Sequence, residues 1–235
     1  MPGIRSAQFR AGVRSALPIV LGYIPIGLAY AIIARRAGLS TLETLLMSLM
    51  VYAGASQMMA AGMVAQGATV PVIVLATFIL NLRHLIMSLC VQNHMDPAPT
   101  GWRLLGAHWV TDETFAVYTT TPRERCTIWY FLGMGSAAYL SWALSGLVGA
   151  LVTDLLPAIL SASLGIALYA MFIALLLPHV RGNARLALLV LLTALMNWAL
   201  GTVMAASWAL IVSTLLGALV GVFFVDIGEE AAGDA

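Results

Sequence analysis

The sequence predicts an all-α protein: a polytopic transmembrane helix bundle of seven or eight spans, forming one integral membrane domain over 1–235. Inverted repeats with broken helices are one arrangement open to it. Three observations carry this prediction. Of the 235 residues, 61% are hydrophobic and only 9% charged, against about a quarter charged in a soluble domain. The apolar residues fall in blocks long enough to cross a bilayer, at 16–34, 44–63, 71–91, 127–151, 156–178, 185–203 and 207–225. Within these blocks, Gly, Pro and polar residues cluster in short islands rather than scattering.

The first block holds Gly22, Pro25 and Gly27. Proline removes a backbone donor and crowds the preceding turn. This block is therefore either a helix kinked for packing or a discontinuous helix whose freed backbone groups bind a ligand. Arg5, Arg10 and Arg14 precede it. The run is long for a signal segment and Pro25 interrupts it, so cleavage is not expected. Gly38 follows as a left-handed cap. Ser40 and Glu43 then form a capping-box pattern that starts block two near Thr41. That block contains Tyr52-Ala53-Gly54-Ala55-Ser56-Gln57. Small residues there permit close helix approach, and Ser56 and Gln57 need polar partners, either another helix or a substrate or ion.

Block three opens at Pro71 and carries Asn81-Leu82-Arg83-His84. An arginine at the middle of a span costs about 2.5–3.5 kcal/mol on insertion scales, so it requires an anion or water. Asn81, His84 and Ser88 share a helix face, while Arg83 lies about 200° from Asn81 on a regular helix. A polar connection, 93–101, leads to an ambiguous segment, 102–121. It is a span, a re-entrant element or an interfacial helix, with His108, Asp112 and Glu113 in its centre. Asp112 and Glu113 are the nearest counter-ions on offer for Arg83.

Thr121-Pro122-Arg123-Glu124 reads as a further capping box that starts the next helix. Block four carries Gly133, Gly135, Ser141, Ser145 and Gly149, a pattern for close packing. Asn183 is a candidate cap for the sixth block. The 40 uncharged residues from Leu186 to Val225 fit two spans turning near Ala205. Asn197, alone among them, reads as interhelical glue. A faint repeat relates Leu17-Pro18-Ile19-Val20-Leu21 to Leu156-Pro157-Ala158-Ile159-Leu160, with Tyr30-Ala31 matching Tyr169-Ala170 at the same offset.

All eleven basic residues are arginine. Apart from Arg83 they sit near block ends, which is a topology signal and not a nucleic-acid footprint. Eight spans with the N-terminus inside, or seven with it outside, both place seven arginines inside and three outside, so charge does not choose between them. Cys90 and Cys126 provide neither a disulfide framework nor a metal spacing.

The polar inventory at membrane depth is Ser56, Gln57, Asn81, Arg83, His84, His108, Asp112 and Glu113, together with Gly22, Pro25, Gly27 and Gly54. Arginine can hold a carboxylate at two points. An acid or a histidine can carry a proton. A zwitterion needs both an anion site and a cation site, and this set provides both. The structural alternative is that Arg83 and its acid only join two helices.

Four motifs together resemble the AzlC family of branched-chain amino acid permeases. They are Pro18 through Gly27, Tyr52 through Gln57, Asn81 through His84, and Thr111-Asp112-Glu113-Thr114-Phe115. The likeness covers roughly residues 15–180. It implies a multi-pass protein of the bacterial inner membrane that exports L-valine and similar amino acids. It also implies a small, separately encoded membrane subunit of the AzlD type. It calls for no cofactor and no metal. A proton gradient is the expected drive, since no lysine exists to complete a Walker motif. Two other classes were weighed. An intramembrane serine hydrolase would use Ser56 with a histidine, but the Gly-x-Ser core lacks its second glycine. A non-transporting scaffold or channel subunit is compatible with the composition.

Overall fold

A computed structural model of the chain describes residues 2–155, 173, 176, 177 and 180–224. These are mostly helical, with no strand among the described residues. Most of the fifth apolar block and the second half of the faint repeat lie outside them. The helices are α1 (Pro2–Ser15), α2 (Leu17–Arg36), α3 (Thr41–Met50), α4 (Gly54–Ala65), α5 (Val70–His94), α6 (Thr100–His108), α7 (Asp112–Thr119), α8 (Ile128–Val152), α9 (Ala184–Gly201) and α10 (Ala206–Phe224). Four of them, α2, α5, α8 and α9, are long and apolar enough to cross a membrane. The protein is a multi-pass helical membrane protein.

The chain divides into two compact units. The first comprises Met1–Gly67 and Thr77–Leu168, the second Ala68–Ala76 and Tyr169–Ala235. In the first unit α8 is the hub, with α1, α2, α3 and α6 laid against it. Small residues allow this. A Cβ at Gly133 would overlap the Phe9 backbone of α1, and one at Gly27 would overlap the Ser145 hydroxyl of α8. Backbones that approach this closely gain the dispersion contacts that hold helices together in lipid, where no hydrophobic drive acts between them. Tyr30, Phe131 and Met134 are fully buried around α8. Arg5 sits over the Trp129 ring, 5.3 Å from its centroid, which ties α1 to the start of α8.

Local chemistry sets the helix ends. The Ser40 hydroxyl accepts from the Glu43 N–H, and the Glu43 carboxylate accepts from the Ser40 N–H. Those donors hold the Glu43 carboxyl below the usual range. Gly38 takes φ +95°, as a left-handed cap requires. The capping box expected at Thr121 does not form. Its hydroxyl donates back to the Val117 carbonyl, 2.7 Å away. Residues Arg123–Arg125 make only a short turn, and Thr127 caps α8 instead.

Two further expectations change. Block one is not discontinuous: α2 stays helical through Pro25, which is exposed. Block two is the broken one, ending as α3 at Met50 and resuming as α4 at Gly54. The segment 102–121 is broken in the same way, into α6 and α7. In the second unit, α9 and α10 pack on each other. Asn183 caps α9 by accepting from the Leu186 N–H. The Ser213 hydroxyl donates to Asn197 across the pair.

Candidate functional site

The site gathers around the two helix breaks of the first unit. At the first break Tyr52 takes φ +44° while 97% buried. A bulky residue rarely adopts this left-handed conformation, so the surroundings must enforce it. They do so with rings: Tyr139 meets Tyr52 edge-on at 4.9 Å, and His108 lies 6.3 Å away. Ending α3 frees the carbonyl of Leu49. It accepts from the Tyr139 hydroxyl at 2.8 Å and from His108 Nε2 at 3.2 Å. Because a carbonyl only accepts, His108 carries its proton on Nε2. One break thus uses a side chain from the rim of the other to satisfy its main chain.

The far side of the first break is the start of α4. Ala53 offers no side-chain cap. Gln57 replaces it, its Oε1 accepting from the Ala53 N–H at 3.2 Å and from Trp142 Nε1 at 3.1 Å. Ser56 donates to the Ala53 carbonyl at 3.0 Å. Both side chains are fully buried. Gly54 lets the Trp142 ring close on the break: a Cβ there would meet the ring at 2.8 Å. Ser56, Gln57 and Gly54 therefore build the break. Among the described residues no histidine bonds Ser56.

At the second break Thr111 and Thr114 cap α7 reciprocally, each hydroxyl accepting the other's N–H. Asp112 and Glu113 occupy the first turn of α7, where the helix dipole favours carboxylates. They take different partners. Asp112 Oδ2 pairs with Arg83 Nη1 of α5 at 2.8 Å, with the two side chains 34% and 39% exposed. Glu113 Oε2 accepts from the Tyr23 hydroxyl of α2 at 2.6 Å. Tyr23 in turn shares a hydrogen bond of 2.8 Å with the Thr111 hydroxyl. The charge of Glu113 also reaches Tyr52 and His84.

On α5, Thr77, Asn81, His84 and Ser88 follow one face at helical spacing. The buried oxygens of Thr77 and Asn81, and Nε of Arg83, have no partner among the described residues. Arg83 departs from that face but still reaches Asp112, because a long side chain can swing across a helix flank.

The expected residues thus separate. Arg83, Asp112, Glu113 and His84 come together, with Asn81 one turn away. Gly27 is a packing position against α8, Pro25 faces outward, and Gly22 has open space beside it. Tyr23, Tyr52, Thr111, Tyr139 and Trp142 complete the site and were missed. Aromatic residues in apolar runs give no periodic signal. Only the position of Tyr23 beside Gly22, and of Tyr52 before Ala53-Gly54, marked them.

The AzlC protein family model matches residues 18–156, a range that holds both breaks and every residue of this cluster. The chain is 30% identical to the inner membrane protein YgaZ of Escherichia coli K12, covering 97% of each chain. It is 31% identical to an uncharacterized membrane protein of Archaeoglobus fulgidus, over 76% of this chain and 79% of that one. It is 28% identical to the branched-chain amino acid transport protein AzlC of Bacillus subtilis 168, over 61% of this chain and 57% of that one. No solved structure matches the chain. With the family model covering more than half its length, the chain belongs to the AzlC family.

Proposed function

We propose that the protein is a secondary transporter of the bacterial inner membrane that exports branched-chain amino acids such as L-valine. It uses the proton gradient and works with a small AzlD-type membrane subunit. The observation that carries this reading is the Arg83–Asp112 pair, placed beside two helix breaks and a second, differently partnered acid. Irregular backbone at membrane depth is tolerated where it lines a protein-enclosed or wet path. Intramembrane charges ordinarily mark such paths. A zwitterion finds in this cluster a guanidinium for its carboxylate and, in Asp112, a carboxylate for its ammonium group.

The reading also accounts for the polar stripe of α5 and its unpartnered oxygens, which suit a solvated route along that helix. The need for a subunit is argued from exposure. Only 6% of the apolar window of α5 is buried, yet Arg83 on this helix is 39% exposed. Hydrocarbon is a poor neighbour for that group, and a covering membrane protein removes the conflict.

The test is efflux. Cells expressing the chain with and without the small subunit are loaded with valine-containing dipeptides, and internal and external valine are followed. The pair of proteins should lower internal valine and raise external valine, with the single chain doing neither. Unchanged valine with both present would exclude this substrate class.

A further inference from the structure

Resting on the transport reading above, we infer that Glu113 is the proton-carrying group of this protein, and that Tyr23 and Thr111 form the hydroxyl relay that accommodates its change of charge. The two neighbouring acids of α7 divide the work. Asp112 is paired with Arg83 at 2.8 Å. Among the described residues no arginine pairs with Glu113; its hydrogen-bond partner is the Tyr23 hydroxyl at 2.6 Å. Glu113 is half-buried at the α7 N-terminus, and the side chain bonded to it is an uncharged hydroxyl. A carboxyl bonded to a hydroxyl accepts that bond when charged and donates it when protonated, so the same geometry satisfies both forms.

The relay lets Glu113 take up a proton without moving a heavy atom. In the charged form the Tyr23 O–H donates to Glu113 Oε2, and the Thr111 O–H donates to Tyr23 Oη across 2.8 Å. When a proton from water binds Oε2, each bond reverses. Glu113 then donates to Tyr23, Tyr23 donates to Thr111, and the Thr111 hydroxyl turns to Thr114 Oγ1 at 3.3 Å. One proton has been added at the carboxyl and none lost along the chain. Both forms leave every hydroxyl with an acceptor.

The charged and titratable groups facing Glu113 are few. Tyr23 approaches from α2 and Tyr52 from the first break, with His84 on α5 and Asp112 beside it on α7. Arg83 is spent on Asp112 and acts on His84. The relay also joins α2 to the N-terminus of α7, so protonation changes a contact between a continuous helix and a broken one.

The test uses the chain co-purified with its small subunit in proteoliposomes, with labelled valine as probe. Two modes are read: counterflow without a gradient, and accumulation driven by a pH difference. Glu113→Gln should keep counterflow within about twofold of wild type and lose driven accumulation by about tenfold or more. Asp112→Asn should lose both. Glu113→Asp, which keeps a carboxyl but withdraws it from Tyr23, should retain driven accumulation with a displaced pH midpoint. Glu113→Gln that still accumulates valine against the gradient overturns the inference. So does a well-folded Glu113→Gln that loses both modes, or, where that variant does not fold, Glu113→Asp with the wild-type pH profile. Wild-type counterflow without pH-driven accumulation sinks this inference and the proton drive, and leaves transport standing. Absence of both modes in the wild type sinks the transport reading beneath it.

Discussion

The two compact units are built on opposite principles. The second presents α9 and α10 as unbroken apolar helices joined by small contacts and one Ser213–Asn197 hydrogen bond. The first interrupts two of its elements, forces Tyr52 into a left-handed conformation and brings an arginine, two acids and two histidines into one neighbourhood. In lipid each such departure carries a penalty, since freed main-chain groups and charges have no water to turn to. The described helices of the second unit avoid the penalty. The first meets it group by group: Tyr139 and His108 take the Leu49 carbonyl, Gln57 takes the Ala53 N–H, and Arg83 takes Asp112. The lesson is that irregularity in this protein is concentrated and compensated, and the chemistry lies where the compensation is densest.

Substitution can break this contrast. The largest effect is expected at the α1–α8 crossing. Gly133→Val drives a side chain into the Phe9 backbone, and backbone cannot give way as a flexible side chain can. It should abolish folded, monodisperse protein. Gly201→Val in the second unit, with no neighbouring atom within 4 Å, should leave yield and elution profile unchanged. Equal losses from both would show that glycine packing does not distinguish the units.

Next in size is the ion pair. Arg83→Ala leaves Asp112 charged and alone, and should cut valine efflux by about tenfold or more in protein that still folds. Partial exposure softens the effect on folding, because solvent screens part of the interaction. Asn197→Ala removes the polar contact of the second unit, worth about 0.6 kcal/mol on average in membranes. Efflux should stay within about twofold of wild type. Efflux unchanged in a folded Arg83→Ala protein would end any transport role for that residue.

The smallest effects sharpen the comparison at helix starts. Asn183→Ala removes the α9 cap, a loss of about 1 kcal/mol. Thr111→Ala removes the α7 cap and the Tyr23 bond together, so it should cost more, roughly 2 kcal/mol from two lost hydrogen bonds. Thermal unfolding of the detergent-solubilised complex ranks the two. A larger loss at Asn183 would mean that Thr111 is not part of a coupled network.

Much of the site could be read along the chain, and its omissions have a cause. Arg83 and its need for an acid follow from one charge in a long apolar run. Which acid takes it does not, because Asp112 and Glu113 are adjacent and both within reach of a long side chain. The break at Tyr52 was hidden for a related reason. Pro25 is the strongest helix breaker in the first blocks, but a proline can be carried inside a helix with its missing bond on the exposed side, as in α2. The weaker Tyr-Ala-Gly run breaks instead, because Gln57, Trp142 and Tyr139 gather from elsewhere to satisfy it. At Thr121 the pattern of a capping box was present, yet a nearer carbonyl captured the hydroxyl.

Composition and periodicity alone therefore determined that this chain is helical and membrane-embedded, where most of its apolar helices run, and that Arg83 cannot stand unpaired. Those follow from the solvent, since lipid leaves the main chain no alternative to internal hydrogen bonds. Tertiary structure decided which helices break, which of two neighbouring acids meets the guanidinium, and which is left to a tyrosine. Those depend on partners distant in sequence, such as Tyr23 with Glu113 and Leu49 with Tyr139, and local preference carries no record of groups that only folding brings within 3 Å.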